Sequence, residues 1–119
     1  MGWKVEFYTD ETGRRPVEEF LRQVPESHLG KIHQVIQMLA ERGPNLPFPY
    51  SSQVEGRLRE LRAHFGRVLY RILYYGDVTR TFVLLHGFEK RSEKLSMSEI
   101  AIALQRMALD LKMKGQQND

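Results

Sequence analysis

The chain has 119 residues, 41% of them hydrophobic and 28% charged, with a formal net charge of +3 and no cysteine. That length can bury a core as one domain, expected over residues 1–111 with a polar tail at 112–119. The composition excludes disulfides, thiolate nucleophiles and cysteine-bound zinc.

No apolar run approaches the length that crosses a bilayer, and the opening Met1-Gly2-Trp3-Lys4-Val5-Glu6 does not read as a secretory signal. The expectation is a cytoplasmic protein with no membrane partner. Trp3, Val5 and Phe7 alternate with Lys4, Glu6 and Tyr8, the period of a half-buried strand. After a turn at 10–15, Pro16 suits the first position of a helix whose apolar side is Val17, Phe20, Leu21 and Val24. Pro25 opens a second helix with Leu29, Ile32, Val35, Ile36 and Leu39 on one face, ended by Gly43-Pro44. His28 and His33, five residues apart on that helix, point away from each other and read as surface histidines.

Residues 45–52, with Pro47 and Pro49, read as a loop anchored by Phe48 and Tyr50. The strand from about Leu58 to His64 is irregular, because Leu58 and Leu61 differ in parity; a bulge or a late start would reconcile them. The next strand, 68–75, puts Val68, Tyr70, Ile72 and Tyr74 on one face and Leu69, Arg71, Leu73 and Tyr75 on the other. A short connection at Gly76-Asp77-Val78-Thr79 leads to a strand with Phe82, Leu84, His86 and Phe88 on one face and Thr81, Val83 and Leu85 on the other. Within these apolar strands Arg71 and His86 need partners or a cleft. Ser96 and Glu99 match a capping box for a last helix carrying Ile100, Leu104, Met107 and Leu111, with Met107 and Met113 as core filler. The order is β-α-α-β-β-β-α: an α+β protein with a mostly antiparallel sheet, a helical hairpin packed on it and a C-terminal helix.

Charge is unevenly spread. Residues 1–55 hold 6 Lys/Arg against 8 Asp/Glu, residues 56–119 hold 12 against 7, and Arg57–Arg71 alone has five arginines and one glutamate. A local basic surface suits a polyanion or an acidic protein partner, and equally a charged sheet edge that stays solvated.

There is no Gly-rich phosphate loop, no His-Glu-x-x-His pair and no nucleophile elbow. The scattered acids of the second half do not make a two-metal site. No metal and no cofactor are expected. What remains is metal-free phosphate chemistry: RNA is cut by its own 2′-hydroxyl when a base, an acid and cations on the non-bridging oxygens are supplied. Arginine fits the last role and His86 either of the first two. Each candidate also has a structural reading: His86 as a satisfied core histidine, Arg59 and Arg62 as cover for a sheet edge, and the tyrosines at 70, 74 and 75 as core aromatics.

Phe65-Gly66-Arg67, Tyr70-Arg71-Ile72-Leu73-Tyr74-Tyr75 and His86-Gly87-Phe88-Glu89-Lys90-Arg91-Ser92-Glu93-Lys94 resemble the phage-derived HigB-like branch of the RelE/ParE toxin superfamily, as do Ser98-Glu99-Ile100, Ala103 and Arg106. The likeness runs from the first strand to about Leu111, with Met97 standing where the branch often has proline. It implies a RelE-like fold and the toxin of a type II toxin–antitoxin pair, a ribosome-dependent endoribonuclease that cuts mRNA and arrests growth. The implied partners are a helix-turn-helix antitoxin of the HigA type and mRNA on the ribosome. By motif, Arg71, Lys90 and His86 are the catalytic candidates, and Arg62, Arg67, Arg91 and Lys94 the RNA contacts. The alternatives on the same fold are a non-enzymatic ParE-like gyrase inhibitor and an inactive prophage relic.

Overall fold

The computed structural model describes residues 2–90 and 95–115, Lys90 by its backbone alone. Candidates Arg91 and Lys94, and the side chain of Lys90, lie outside the described residues. The order is β1 (Lys4–Phe7), α1 (Pro16–Arg22), α2 (Glu26–Arg42), a 3₁₀ turn at Gly43–Asn45, β2 (Ser51–Glu55), β3 (Leu58–Phe65), β4 (Val68–Gly76), β5 (Thr81–Lys90) and α3 (Met97–Met113). The five strands form one sheet in the order β1-β5-β4-β3-β2. All neighbours are antiparallel except β1 and β5. This is the expected α+β architecture, with one strand more than the hydrophobic pattern showed. That strand, Ser-Ser-Gln-Val-Glu, is short, polar and at the edge, where little apolar surface is needed.

Helices cover both faces. On one, α1 and α2 bring Val17, Leu21, Ile32, Val35 and Leu39 against Leu61, Ala63, Tyr70, Ile72, Tyr74, Phe82 and Leu84. On the other, Ala103, Met107 and Leu111 of α3 meet Leu58, Leu73, Tyr75, Val83, Leu85 and Phe88. The parity puzzle in β3 dissolves with that: Leu58 belongs to the second core and Leu61 to the first, so neither a bulge in β3 nor a late start is needed. Gly87 allows α1 its close approach, since a Cβ there would sit 2.6 Å from the ring of Phe20. Gly66, at φ 62°, opens the two-residue turn between Phe65 and Val68.

Three readings from pattern alone are corrected. His28 is half-buried: its Nδ1 lies 2.6 Å from the Tyr70 hydroxyl and its ring stacks on Phe65 at 4.0 Å. Met113 is 61% exposed and fills no core, unlike Met107. The last helix runs to Met113, beyond the expected start of the tail, and Lys114 is anchored by Glu6, Asp77 and Asp110 at 2.7, 3.4 and 3.0 Å.

That anchor closes one end of the α3 face. The Tyr75 hydroxyl donates to Asp110. Burial first, and that bond second, push the hydroxyl well above its ordinary range, so it remains a donor. Asp77 accepts from the backbone N–H of Thr79 and Thr81 and from the Thr79 hydroxyl, which shapes the β4–β5 connection.

Candidate functional site

The other end of the α3 face carries charge. Antiparallel pairing aligns two rows across β3, β4 and β5: Glu60, Leu73 and His86 in one, Arg62, Arg71 and Phe88 in the next. Strict alternation in β5 would put His86 with Leu84, on the α1–α2 face. Instead the register slips between Leu73 and Tyr74, whose partners are His86 and Leu84, leaving Leu85 as the extra residue of a bulge. Beyond it the phase is reversed, so His86 and Phe88 join Val83 and Leu85 on the α3 side. The expected grouping of His86 with Phe82 and Leu84 is therefore corrected, and the bulge sets His86 on the same face as Arg71.

Arg71 is 1% exposed, among the largest fully buried side chains. Its Nη1 lies 3.6 Å from Glu60 Oε2, and Arg62 Nε lies 3.4 Å from Glu60 Oε1. Two guanidiniums thus converge on one carboxylate. With Arg62 and Glu60 also almost wholly enclosed, this is a low-dielectric pairing in which removing one partner is costly. Arg62 keeps a tenth of its side-chain surface open and holds its Cζ 5.6 Å from the ring centre of Phe48.

His86 is held by α3 on both ring nitrogens. Nε2 is 2.9 Å from Glu99 Oε1, and Nδ1 is 3.2 Å from Arg106 Nη1, which also donates to the Leu85 carbonyl at 2.9 Å. A guanidinium only donates, so Nδ1 accepts, the ring proton sits on Nε2, and Glu99 receives it. The ring stacks on Phe88 at 5.2 Å. Burial pulls the Arg106 guanidinium below its ordinary value. For His86 to take a proton at Nδ1, Arg106 must give way; to deliver one from Nε2, Glu99 must.

Glu99 was expected to complete a capping box. Ser96 does cap α3, accepting from the Glu99 N–H at 3.4 Å, but the Glu99 side chain turns to His86 instead of back to the cap. Glu60, Glu99 and Arg106 are residues of this site that sequence reasoning did not place among its candidates. For Glu60 a signal existed, since it is the one acid within Arg57–Arg71.

Of the remaining candidates, Arg67 stands exposed in the turn that closes the β3–β4 hairpin. The Lys90 backbone pairs with Leu69 at the end of β5. The arginines that open the basic stretch are structural pins. Arg57 donates to the Gly76 carbonyl and lies over the Tyr75 ring, and Arg59 donates to Ser51 Oγ. Among the described residues no group of three or more His, Asp or Glu is arranged to hold a metal, and no helix is long and apolar enough to cross a membrane.

A model of the family described as Phage derived protein Gp49-like (DUF891) matches residues 19–108, from α1 almost to the end of α3. The chain belongs to this family. Among solved structures, the Gp49-like chain is similar to one titled as the archaeal RelE–RelB complex from Pyrococcus horikoshii OT3. The identity is 18% and the TM-score 0.50, over 79% of this chain and 100% of that one, a likeness that establishes a RelE-like fold. No curated protein matches the chain in sequence.

Proposed function

We propose that this Gp49-like protein is the toxin of a type II toxin–antitoxin pair, acts in the cytoplasm, and cleaves mRNA on the ribosome without a metal. The observation that carries the reading is the pair of adjoining rows on the α3 face, Arg62–Arg71 on Glu60 beside His86 between Glu99 and Arg106. Family membership and the RelE-like fold support it.

In this reading fixed cations stabilise the charge that develops on the phosphate as the 2′-hydroxyl attacks. Arg62, Arg67, Arg91 and Lys94 contact the RNA, and Lys90 meets the reacting phosphate. Arg71, enclosed, acts through its field and by holding Glu60, which in turn sets Arg62. His86 exchanges its proton once substrate displaces Arg106 or Glu99. The ribosome supplies alignment, and orientation of that kind can contribute most of a rate enhancement. The partner that silences the toxin is a helix-turn-helix antitoxin of the HigA type.

The test is induced expression followed by mapping of transcript ends. Wild type should arrest growth and leave new 5′ ends within coding regions, and the Arg71→Ala, Lys90→Ala double variant, assayed at a temperature where circular dichroism shows it folded, should do neither. Intact transcripts with a DNA-damage response would replace this reading with a gyrase-directed binding module. The engagement of both His86 ring nitrogens is what favours that second reading.

A further inference from the structure

The loop before β2 holds an aromatic side chain that its own packing does not explain. Phe48 is 69% exposed, although an anchoring role would bury it; Leu46, at 2%, does the anchoring. The loop is nevertheless well fixed. Leu46 N–H donates to the Gly43 carbonyl, and the N–H groups of Tyr50 and Ser51 both reach the Pro47 carbonyl. The Tyr50 carbonyl accepts from the backbone N–H of Arg62 itself, at 2.9 Å. The Phe48 ring is thus stitched to the strand residue whose guanidinium it covers, at 5.6 Å.

Beside it runs a groove of about 140 Å³ between α2 and β3, lined by Lys31, Val35, Pro49, Tyr50, Arg62 and His64 among others, with no acidic side chain among the described residues lining it. Tyr50 is itself 37% exposed. A second copy of this chain or an apolar peptide would fit the rings but gain nothing from the cations. A single-stranded nucleic acid uses both, since each base has a face that stacks on an aromatic ring or a guanidinium plane and each nucleotide brings a negative charge. Arg62 is common to this groove and to the Glu60–Arg71 row.

We infer that Phe48, over Arg62, is a stacking platform for one unpaired base of an RNA strand, with Tyr50 and the groove beside it taking the neighbouring nucleotide. The inference deepens the proposed function and rests on it for the identity of the strand as RNA.

The probe is a short fluorescein-labelled oligoribonucleotide bearing 2′-O-methyl groups, which cannot be cut by its own hydroxyl, together with an abasic analogue of the same length. Wild type should bind the base-bearing strand more tightly than the abasic one, and Phe48→Ala should weaken the former by roughly 5- to 150-fold, the range of one lost base stack, while leaving the latter unchanged. Phe48→Trp should restore binding. Because Phe48 is exposed, Phe48→Ala should melt as wild type does, so loss of binding is not loss of fold. Equal binding of the base-bearing strand by wild type and Phe48→Ala overturns the platform, and so does a Phe48→Ala that keeps RNA affinity but loses its antitoxin, which would make the ring a protein-docking residue. Transcripts cut in cells with RNA binding indifferent to Phe48 would sink the platform and spare the toxin reading. Phe48-dependent binding with transcripts left intact would do the reverse. A wild type that binds neither strand overturns the platform and leaves the toxin reading to the transcript mapping.

Discussion

The two faces of the sheet are built from the same strands and differ in what they bury. Under α1 and α2 the contact is mainly apolar, with Leu39 and Val17 fully enclosed and polar contacts made through the hydroxyls of Tyr70 and Tyr74. Under α3 the apolar core is bounded at one end by Tyr75, Asp110, Asp77 and Lys114, and at the other by Glu60, Arg62, Arg71 and His86. A two-helix cover leaves little room for ion pairs, whereas one helix leaves both ends of its face to be finished with them. One end is tied shut through Lys114; the other adjoins an exposed aromatic loop. In the reading proposed above, the working end is the one nearer the start of α3.

The contrast breaks most sharply on substitution of an enclosed residue from each face. Glu60→Ala removes the carboxylate shared by two buried guanidiniums and should cost about 3–5 kcal/mol. Leu39→Ala leaves a cavity and should cost about 2–5 kcal/mol. Denaturant unfolding measures both. If the faces divide labour as described, folded Leu39→Ala retains full activity per molecule and Glu60→Ala does not.

The closed end should reveal itself in acid. Burial alone would raise the Asp77 carboxyl, but the hydrogen bonds from Thr79, Thr81 and Lys114 outweigh it and hold the group below its ordinary value. A carboxyl depressed by folding adds stability above its unfolded pKa, near 4, and surrenders it as pH falls toward the folded value. Wild type should accordingly lose stability below about pH 4, and Asp77→Asn should flatten that part of the curve while lowering stability at neutral pH. Thermal melts across the acid range would show it; parallel curves for the two proteins would refute it. The smallest expected effect is at the cap: Ser96→Ala should cost about 1 kcal/mol, seen as a small shift in the unfolding midpoint, with no more specific effect on His86 than a slightly frayed α3.

The helical hairpin was readable because Pro16, Pro25 and Gly43 punctuate two clean apolar stripes, and each stripe found its core. Four things were not. The edge strand Ser51–Glu55 has too little apolar content to stand out from a proline-rich loop. Leu58 and Leu61 look discordant only if one face is buried, and here both are. Of the site, Arg71 and His86 were visible as polar residues inside apolar strands. Their shared face was not, because alternation counts residues and cannot see that one of them is extra. Phe48 escaped for the opposite reason: hydrophobicity argued for burial, and the ring stands in solvent.

The bulge at Leu85 makes β5 a strand with a reading frame. Flatten the bulge at full length and everything downstream changes sides: the imidazole would be driven toward Phe20, and the glycine that now accommodates that ring would be offered to α3 in its place. Deleting Leu85, by contrast, would let Tyr74–Leu84 and Leu73–His86 pair in unbroken register with His86 still on the α3 side. Point changes at Leu85, and its removal, should be absorbed as losses of packing, because the pairs on either side of it keep their partners. The phase of β5 beyond Leu84, and not the identity of Leu85, is what holds His86 on the face of Arg71.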